Sequence, residues 1–242
     1  MIATGQHRPE DVDVPVPPAG SLPPLEDPPG SDGVPGDDAA PGGSTPIDDG
    51  GEPLVELAVD DRLQLLNLYR ADGWPGTSDR VLLRAGVADR LADAAASLPD
   101  GFGLAVFDGW RSPATVRALH DHFYGPGSTL EPGFLADPDD PDVVPPHGTG
   151  GAVDVTLTWD GRALALGTCF DDFTPRAHLR SLEVGTDDLD GASRVLRRLL
   201  HRHLGAAGFV GLREEWWHVS YGDQRWAAAT GAPAAIYGLA LP

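Results

Sequence analysis

The feature that most constrains this chain is a break in composition near residue 52. Of the first 52 residues 11 are Pro and 9 are Gly, and none is aromatic, whereas the remaining 190 carry all 17 aromatics. Pro and Gly interrupt helix and strand alike, and a segment without large apolar side chains cannot bury enough surface to offset its ordering entropy. The same stretch holds 11 carboxylates against the single cation Arg8, a net of −10 and half of the −20 of the whole chain. Residues 1–52 therefore read as a disordered, acidic, Pro/Gly-rich tail, and residues 53–242 as one domain with enough apolar residues for a single core.

The charge balance narrows the partners. All 17 cations are Arg, set against 37 acidic residues, and this excludes the clustered positive charge that a nucleic-acid backbone requires. The opening MIATGQHRPEDV has no cationic region followed by an apolar run. No later stretch reaches the roughly 18 apolar residues that a membrane span needs. These features predict a cytoplasmic chain with neither a nucleic-acid nor a membrane partner. Cys169 is the only cysteine, so an intrachain disulfide is excluded, and the residue reads as an ordinary buried thiol.

Patterning predicts an α+β domain, an antiparallel sheet flanked by helices. LVEL at Leu54 is a short strand candidate. Leu83, Val87, Leu91, Ala94 and Leu98 share one helical face, predicting a helix from about Asp79 to Leu98 with Ser78 or Asp79 as its cap. GLAVF over 103–107 reads as a buried strand, Ala114 to Phe123 as a second helix, and Gly125 to Pro146, with six prolines, as a long irregular connection. Gly151 to Trp159, the Asp160-Gly161 turn and RALAL form a hairpin signal. A third helix is expected from about Asp188 to Leu204, and strands in the aromatic run GFVGLREEWWHVSYG.

Two clusters carry chemistry, His147-Gly-Thr-Gly-Gly-Ala-Val-Asp154 and Glu215-Trp-Trp-His218. Together they supply two imidazoles and two carboxylates. Three N/O ligands with an open position is the composition of a catalytic zinc site, and one cysteine excludes a thiolate-rich structural site. The separations of seven and three are odd, so on undistorted strands each pair would point to opposite faces. At least one member of each pair must leave regular strand geometry, which Gly148, Gly150 and Gly151 permit. The other histidines, His7, His120, His122, His178, His201 and His203, sit in polar, Arg-rich or loop contexts and read as solvated or structural.

His147-x-x-Gly-x-Ala-Val-Asp154, then Gly167-Thr-x-Phe-Asp171, then Gly208-Phe209 followed after five residues by Glu215-Trp-Trp-His218, resemble the ordered signature of the zinc D-alanyl-D-alanine dipeptidases of the vancomycin-resistance type. Asp108-Gly-Trp-Arg111 resembles that family's Asp-x-aromatic-Arg element. The similarity runs from about Leu54 to Tyr221 and leaves the tail outside. It implies a small α+β zinc peptidase domain in which His147, Asp154 and His218 hold one Zn2+ per chain. By the same resemblance Glu215 is the general base and acid, Arg111 stabilises transition-state charge, and Asp171 receives the ammonium of the dipeptide. Two departures bear on recognition: Pro145 stands where the family usually has Ser, and Arg111 is followed by Ser112 before Pro113.

The expected activity is zinc-dependent hydrolysis of D-alanyl-D-alanine, or a close D,D-dipeptide, by zinc-activated water with Glu215 taking its proton. Such a hydrolase could serve glycopeptide resistance, recycling of wall fragments or self-protection. A carboxylate at Asp171 favours a free dipeptide over a longer acyl-peptide, because it pairs with an ammonium that the longer chain lacks. Two alternatives are a zinc D,D- or L,D-carboxypeptidase acting on peptidoglycan stem peptides and a non-catalytic zinc-binding module. Oligomeric state is not legible.

Overall fold

The computed structural model describes residues 45–130, 134–140, 143–183 and 188–242. Its axis is β5 (Ala152–Trp159), a strand buried along all but its last residue. Period-two alternation puts Val153, Val155 and Leu157 on one face, in the apolar core, and Asp154, Thr156 and Thr158 on the other. Burial on both faces explains why this run shows no polar alternation that would mark a solvated side.

On one side β5 pairs antiparallel with β4 (Phe102–Asp108), which pairs in parallel with β2 (Leu63–Leu65). On the other side β5 pairs antiparallel with β8 (Glu215–Ser220), followed by β7 (Val210–Leu212). The sheet order is β2-β4-β5-β8-β7, and a short β6 (Arg162–Ala163) folds back on the end of β5. Asp160 and Gly161 between them have φ of 46° and 75°, the double positive φ of a tight hairpin turn. A second, two-stranded sheet joins β1 (Leu54–Glu56) to β3 (Leu82–Arg84).

The helices are α1 (Leu68–Ala71), α2 (Ala85–Ser97), α3 (Pro113–Phe123), α4 (Asp188–Ala206) and α5 (Gln224–Thr230). Helices α2 and α4 pack on each other and on the large sheet, α2 against β4 and α4 against β5 and β7. The apolar stripes of α2 (Val87, Leu91, Ala94) and α4 (Leu196, Leu199, Leu200) meet Trp216 and Trp217 in one core. The α+β class expected from patterning is the class observed. No helix among the described residues is long and apolar enough to cross a membrane.

Three expectations need correction. The helix predicted from Asp79 begins at Ala85, because Leu82–Arg84 pairs with β1 as a strand. Leu83 on that strand and Val87 and Leu91 on the helix all face the same core, so the spacing of four continues across the junction and reads as a single helix. Ser78 and Asp79 accordingly cap nothing there; Ser78 accepts from the Arg80 N–H at 3.2 Å, and Asp79 pairs with Arg70 at 2.8 Å. Elements β2, α1 and α5 are too short to show a period and were not expected.

The compositional boundary at residue 52 falls too late. Residues 1–44 lie outside the described residues, but 45–52 pack on the domain. Ile47 bridges Ala235, and Asp48 N–H donates to the Ala235 carbonyl at 2.8 Å. Asp49 accepts from Arg84 at 2.9 Å and from Gly238 N–H at 3.0 Å, and Glu52 accepts from Tyr237 Oη at 2.6 Å. Arg84 is only 4% exposed and also donates to the carbonyls of Glu52, Thr149 and Gly238. It therefore ties the entering chain to the turn before β5 and to the C-terminal segment.

Two predictions follow from this packing. A chain starting at residue 45 should melt with the full chain, whereas one starting at residue 53 leaves the buried Arg84 without Asp49 and should lose more than about 2 kcal/mol in a denaturant titration. The second concerns His201 on α4, whose Nε2 donates to the Trp216 carbonyl at 2.6 Å. Burial holds its pKa down, from 6.5 to about 4, with Arg197 acting in the same direction. The unfolded chain therefore binds the proton first, and stability present above pH 6.5 is lost as pH falls toward 4. At about 1.4 kcal/mol per pH unit the loss approaches ~3 kcal/mol. His201→Gln keeps an N–H donor without the charge, and its urea midpoint should fall less steeply than wild type over that range.

Candidate metal centre

The three expected ligands reach one point from three elements. Asp154 and His218 are direct cross-strand partners in the β5/β8 register, so both side chains leave the sheet on the same face and side by side. His147 does not lie on a strand. It sits in a 3-10 turn, Pro146–Thr149, closed by Gly150 at φ 72°. A Cβ at Gly150 would lie 2.4 Å from Leu54 Cδ2, so the turn needs glycine for space as well as for conformation. Arg84 N–H donates to the Gly150 carbonyl at 2.9 Å and holds the turn against β3.

The odd spacing of Glu215 and His218 is resolved within the sheet. Gly211 pairs with Val219 but Leu212 pairs with Glu215, so the β7/β8 register slips between the two. The irregularity lets Glu215 and His218 border the same cleft, with Glu215 Oε2 at 3.9 Å from His218 Nδ1.

The donor atoms are close. His147 Nε2 lies 3.1 Å from His218 Nδ1 and 3.3 Å from Asp154 Oδ2, and His218 Nδ1 lies 3.0 Å from Asp154 Oδ1. Donors placed tetrahedrally around zinc at its usual bond lengths are about 3.3–3.5 Å apart. The two imidazole nitrogens are slightly closer than that, each faces a different oxygen of the Asp154 carboxylate, and the residues fit a zinc ion. His147 Nδ1 faces the Gly109 carbonyl at 2.8 Å. A carbonyl only accepts, so Nδ1 carries the proton and Nε2 turns its lone pair to the cluster. The outer nitrogen of His218 meets Ser220 Oγ at 3.3 Å. Among the described residues this is the one group of three or more His, Cys, Asp or Glu side chains gathered closely enough to hold a metal.

Arg111 follows the end of β4 and is bound at two points. Its Nε donates to Asp108 at 2.6 Å and its Nη2 to Asp154 Oδ2 at 2.9 Å, and its guanidinium lies 5.0 Å from the centre of the Tyr69 ring. Asp171 adopts φ 58°, a left-handed conformation that Asp tolerates better than most residues. Its two carboxylate oxygens lie 3.1 and 2.9 Å from the Tyr69 hydroxyl, which donates to it.

Burial sets the electrostatics. It pushes Asp171 up to about 8 despite Arg111, and Glu215 well above the carboxylate range, where Asp154 and Asp171 add to the effect. Burial also acts to raise Asp154, but His147 and His218 outweigh it and hold that carboxyl well below the usual range. His218 is brought down to about 4 by burial, so it is neutral and able to ligate at neutral pH. An Asp154 carboxyl held ionised by its imidazole neighbours, a His218 imidazole that is neutral at neutral pH and a Glu215 carboxyl of raised pKa make the arrangement suited to metal-assisted hydrolysis.

His147, His218, Glu215, Arg111 and Asp171 all line one cleft of about 250 Å³, with Asp154 behind the histidines. The described part of the 125–146 connection supplies one wall through Phe134, Leu135, Val143 and Val144. His120 and His122 lie on α3, and His201 and His203 on α4, outside the cluster; His7 lies outside the described residues. The sequence reading did not single out Tyr69, 102 residues from its partner Asp171. Nor did it assign roles to Asp108 or Arg225. Asp108 could have been found from its i, i+3 spacing to Arg111; Tyr69 left no local signal.

Comparison with known proteins identifies the family. The family Peptidase M15, described as D-ala-D-ala dipeptidase, matches residues 71–232. A protein of Synechocystis sp. strain PCC 6803 named D-alanyl-D-alanine dipeptidase is 31% identical over 216 residues, spanning 75% of this chain and 87% of its own length. A crystal structure of the vancomycin-resistance D,D-dipeptidase VanXYg, in complex with a D-Ala-D-Ala phosphinate analogue, is 19% identical. It covers 65% of this chain and 59% of that one, less than two thirds, at a TM-score of 0.36, a likeness too slight to add to the assignment. The family match and the Synechocystis relative are sufficient: the chain belongs to the D-ala-D-ala dipeptidase family of zinc metallopeptidases.

Proposed function

We propose that this protein is a cytoplasmic zinc dipeptidase that hydrolyses D-alanyl-D-alanine, or a close D,D-dipeptide, to free D-amino acids. The observation that carries the reading is the convergence of His147 Nε2, His218 Nδ1 and the two oxygens of the Asp154 carboxylate, with contacts of 3.0 to 3.3 Å, beside a cleft that presents Glu215, Arg111 and Asp171. Family membership supports dipeptide hydrolysis as the reaction class.

In this reading His147, Asp154 and His218 hold one zinc ion, which supplies Lewis acidity and activates water near neutral pH. Glu215 takes a proton from the attacking water on a carboxylate oxygen and returns it to the amide nitrogen as the C–N bond breaks. Burial, with Asp154 and Asp171 nearby, raises its pKa and so strengthens the ionised form as a base. Arg111 is fixed through Nε and Nη2, and presents the remaining guanidinium edge to the oxygen on which negative charge develops. Asp171 receives the substrate ammonium, whose positive charge offsets the cost of ionising a buried carboxyl that sits at about 8 alone.

Glu215→Gln should keep bound zinc, by metal analysis, while kcat for D-alanyl-D-alanine falls by about 10²–10⁴. A panel of L,L, L,D and D,D alanine dipeptides, assayed with and without a chelator, should show turnover of the D,D form that is lost on chelation and restored by zinc. Undiminished turnover by Glu215→Gln would sink the assignment of the base, and chelator-resistant hydrolysis that of the metal.

A further inference from the structure

A dipeptide zwitterion has an ammonium at one end and a carboxylate at the other. A cleft that reads both ends needs an anion and a cation that the protein has not already paired. Among the described residues two arginines line this cleft, Arg111 and Arg225. Arg111 is committed to Asp108 and Asp154. Arg225, in the first turn of α5, makes no ion pair with any described residue, and its buried Nε has no hydrogen-bond partner. A guanidinium that lines a cleft without a carboxylate partner can pair through its terminal nitrogens with a ligand that brings one.

The surroundings leave Arg225 as the source of donors on that side. Val143, Val144, Pro145 and Pro146 form the adjoining wall. None has a polar side chain, the prolines have no N–H, and Val144 N–H is taken by Gln224 Oε1 at 3.4 Å. Asp223, on the same wall, caps α5 by accepting the Trp226 N–H at 2.7 Å through Oδ1, while its buried Oδ2 has no hydrogen-bond partner. Arg225 lines the same cleft as Glu215 and His218, so its guanidinium borders the space that holds the reacting groups. A guanidinium presents paired N–H donors in the plane that a carboxylate accepts.

We propose that Arg225 receives the α-carboxylate of the substrate and makes the site selective for peptides with a free C-terminal carboxylate. This rests on the dipeptidase reading above and adds the residue that fixes the leaving amino acid.

The test compares D-alanyl-D-alanine with its C-terminal amide on the zinc-loaded full chain and on Arg225→Met and Arg225→Lys. Wild type should favour the acid over the amide by at least about 100-fold in kcat/KM. Arg225→Met should lower that ratio to within about 3-fold, mainly through a higher KM for the acid, and Arg225→Lys should retain part of it as a point charge. Zinc content and melting temperature establish that each variant is folded; if Arg225→Met is not, the wild-type ratio and Arg225→Lys decide. Turnover without preference for the acid in wild type, or an unchanged preference in Arg225→Met, would overturn this inference alone. Absence of turnover of any dipeptide by wild type would overturn the dipeptidase reading and this one with it.

Discussion

The structure depends on one cross-strand pairing, Asp154 opposite His218 in the β5/β8 register. A slip of one residue would send one of the two side chains to the other face. The register is held because β5 is buried on both faces: Val153, Val155 and Leu157 are locked into the core, so Asp154 cannot turn inward without exposing them. A carboxylate that is only 1% exposed must be compensated, and Asp154 has three partners, His147, His218 and Arg111. Removing any of them would leave charge stranded where water cannot reach it.

From that pairing outward each support has a separate origin. His147 comes from a turn whose glycine permits close approach and whose carbonyls are held by Arg84. Arg111 comes from the end of β4, where a register irregularity lies between Val106 and Asp108. Glu215 comes from the slipped β7/β8 pairing. The sheet departs from regularity beside these residues, as expected where function requires side chains that ideal pleating would separate. Arg84 links this arrangement to residues 45–52 and to the C-terminal segment, so the stability of the turn bearing His147 depends on chain that is distant in sequence.

Much of the fold and the centre of the site were legible before the structure. The long periodic segments α3 and α4, the buried strand β4 and the Asp160-Gly161 hairpin announce themselves through period and turn chemistry. The two His/carboxylate clusters offer a candidate ligand set by composition, and their odd spacing already required irregular backbone. The start of α2 was misplaced because Leu83 keeps helical spacing while lying on a strand. The tail boundary was misplaced because Asp49 and Glu52 look like solvated acids until Arg84 and Tyr237 are seen beside them. Tyr69 and Arg225 were missed since their importance lies in contact with the cleft and not in any local pattern.

The central claim is that His147, Asp154 and His218 together form a zinc site. X-ray absorption at the zinc edge, on protein carrying a measured amount of metal, tests it directly. The account predicts one zinc per chain with nitrogen and oxygen ligands at about 2.0–2.2 Å and no sulfur, and loss of that metal in Asp154→Ala. Substoichiometric zinc, a sulfur ligand at about 2.3 Å that would implicate Cys169, or full retention of zinc by Asp154→Ala would contradict it.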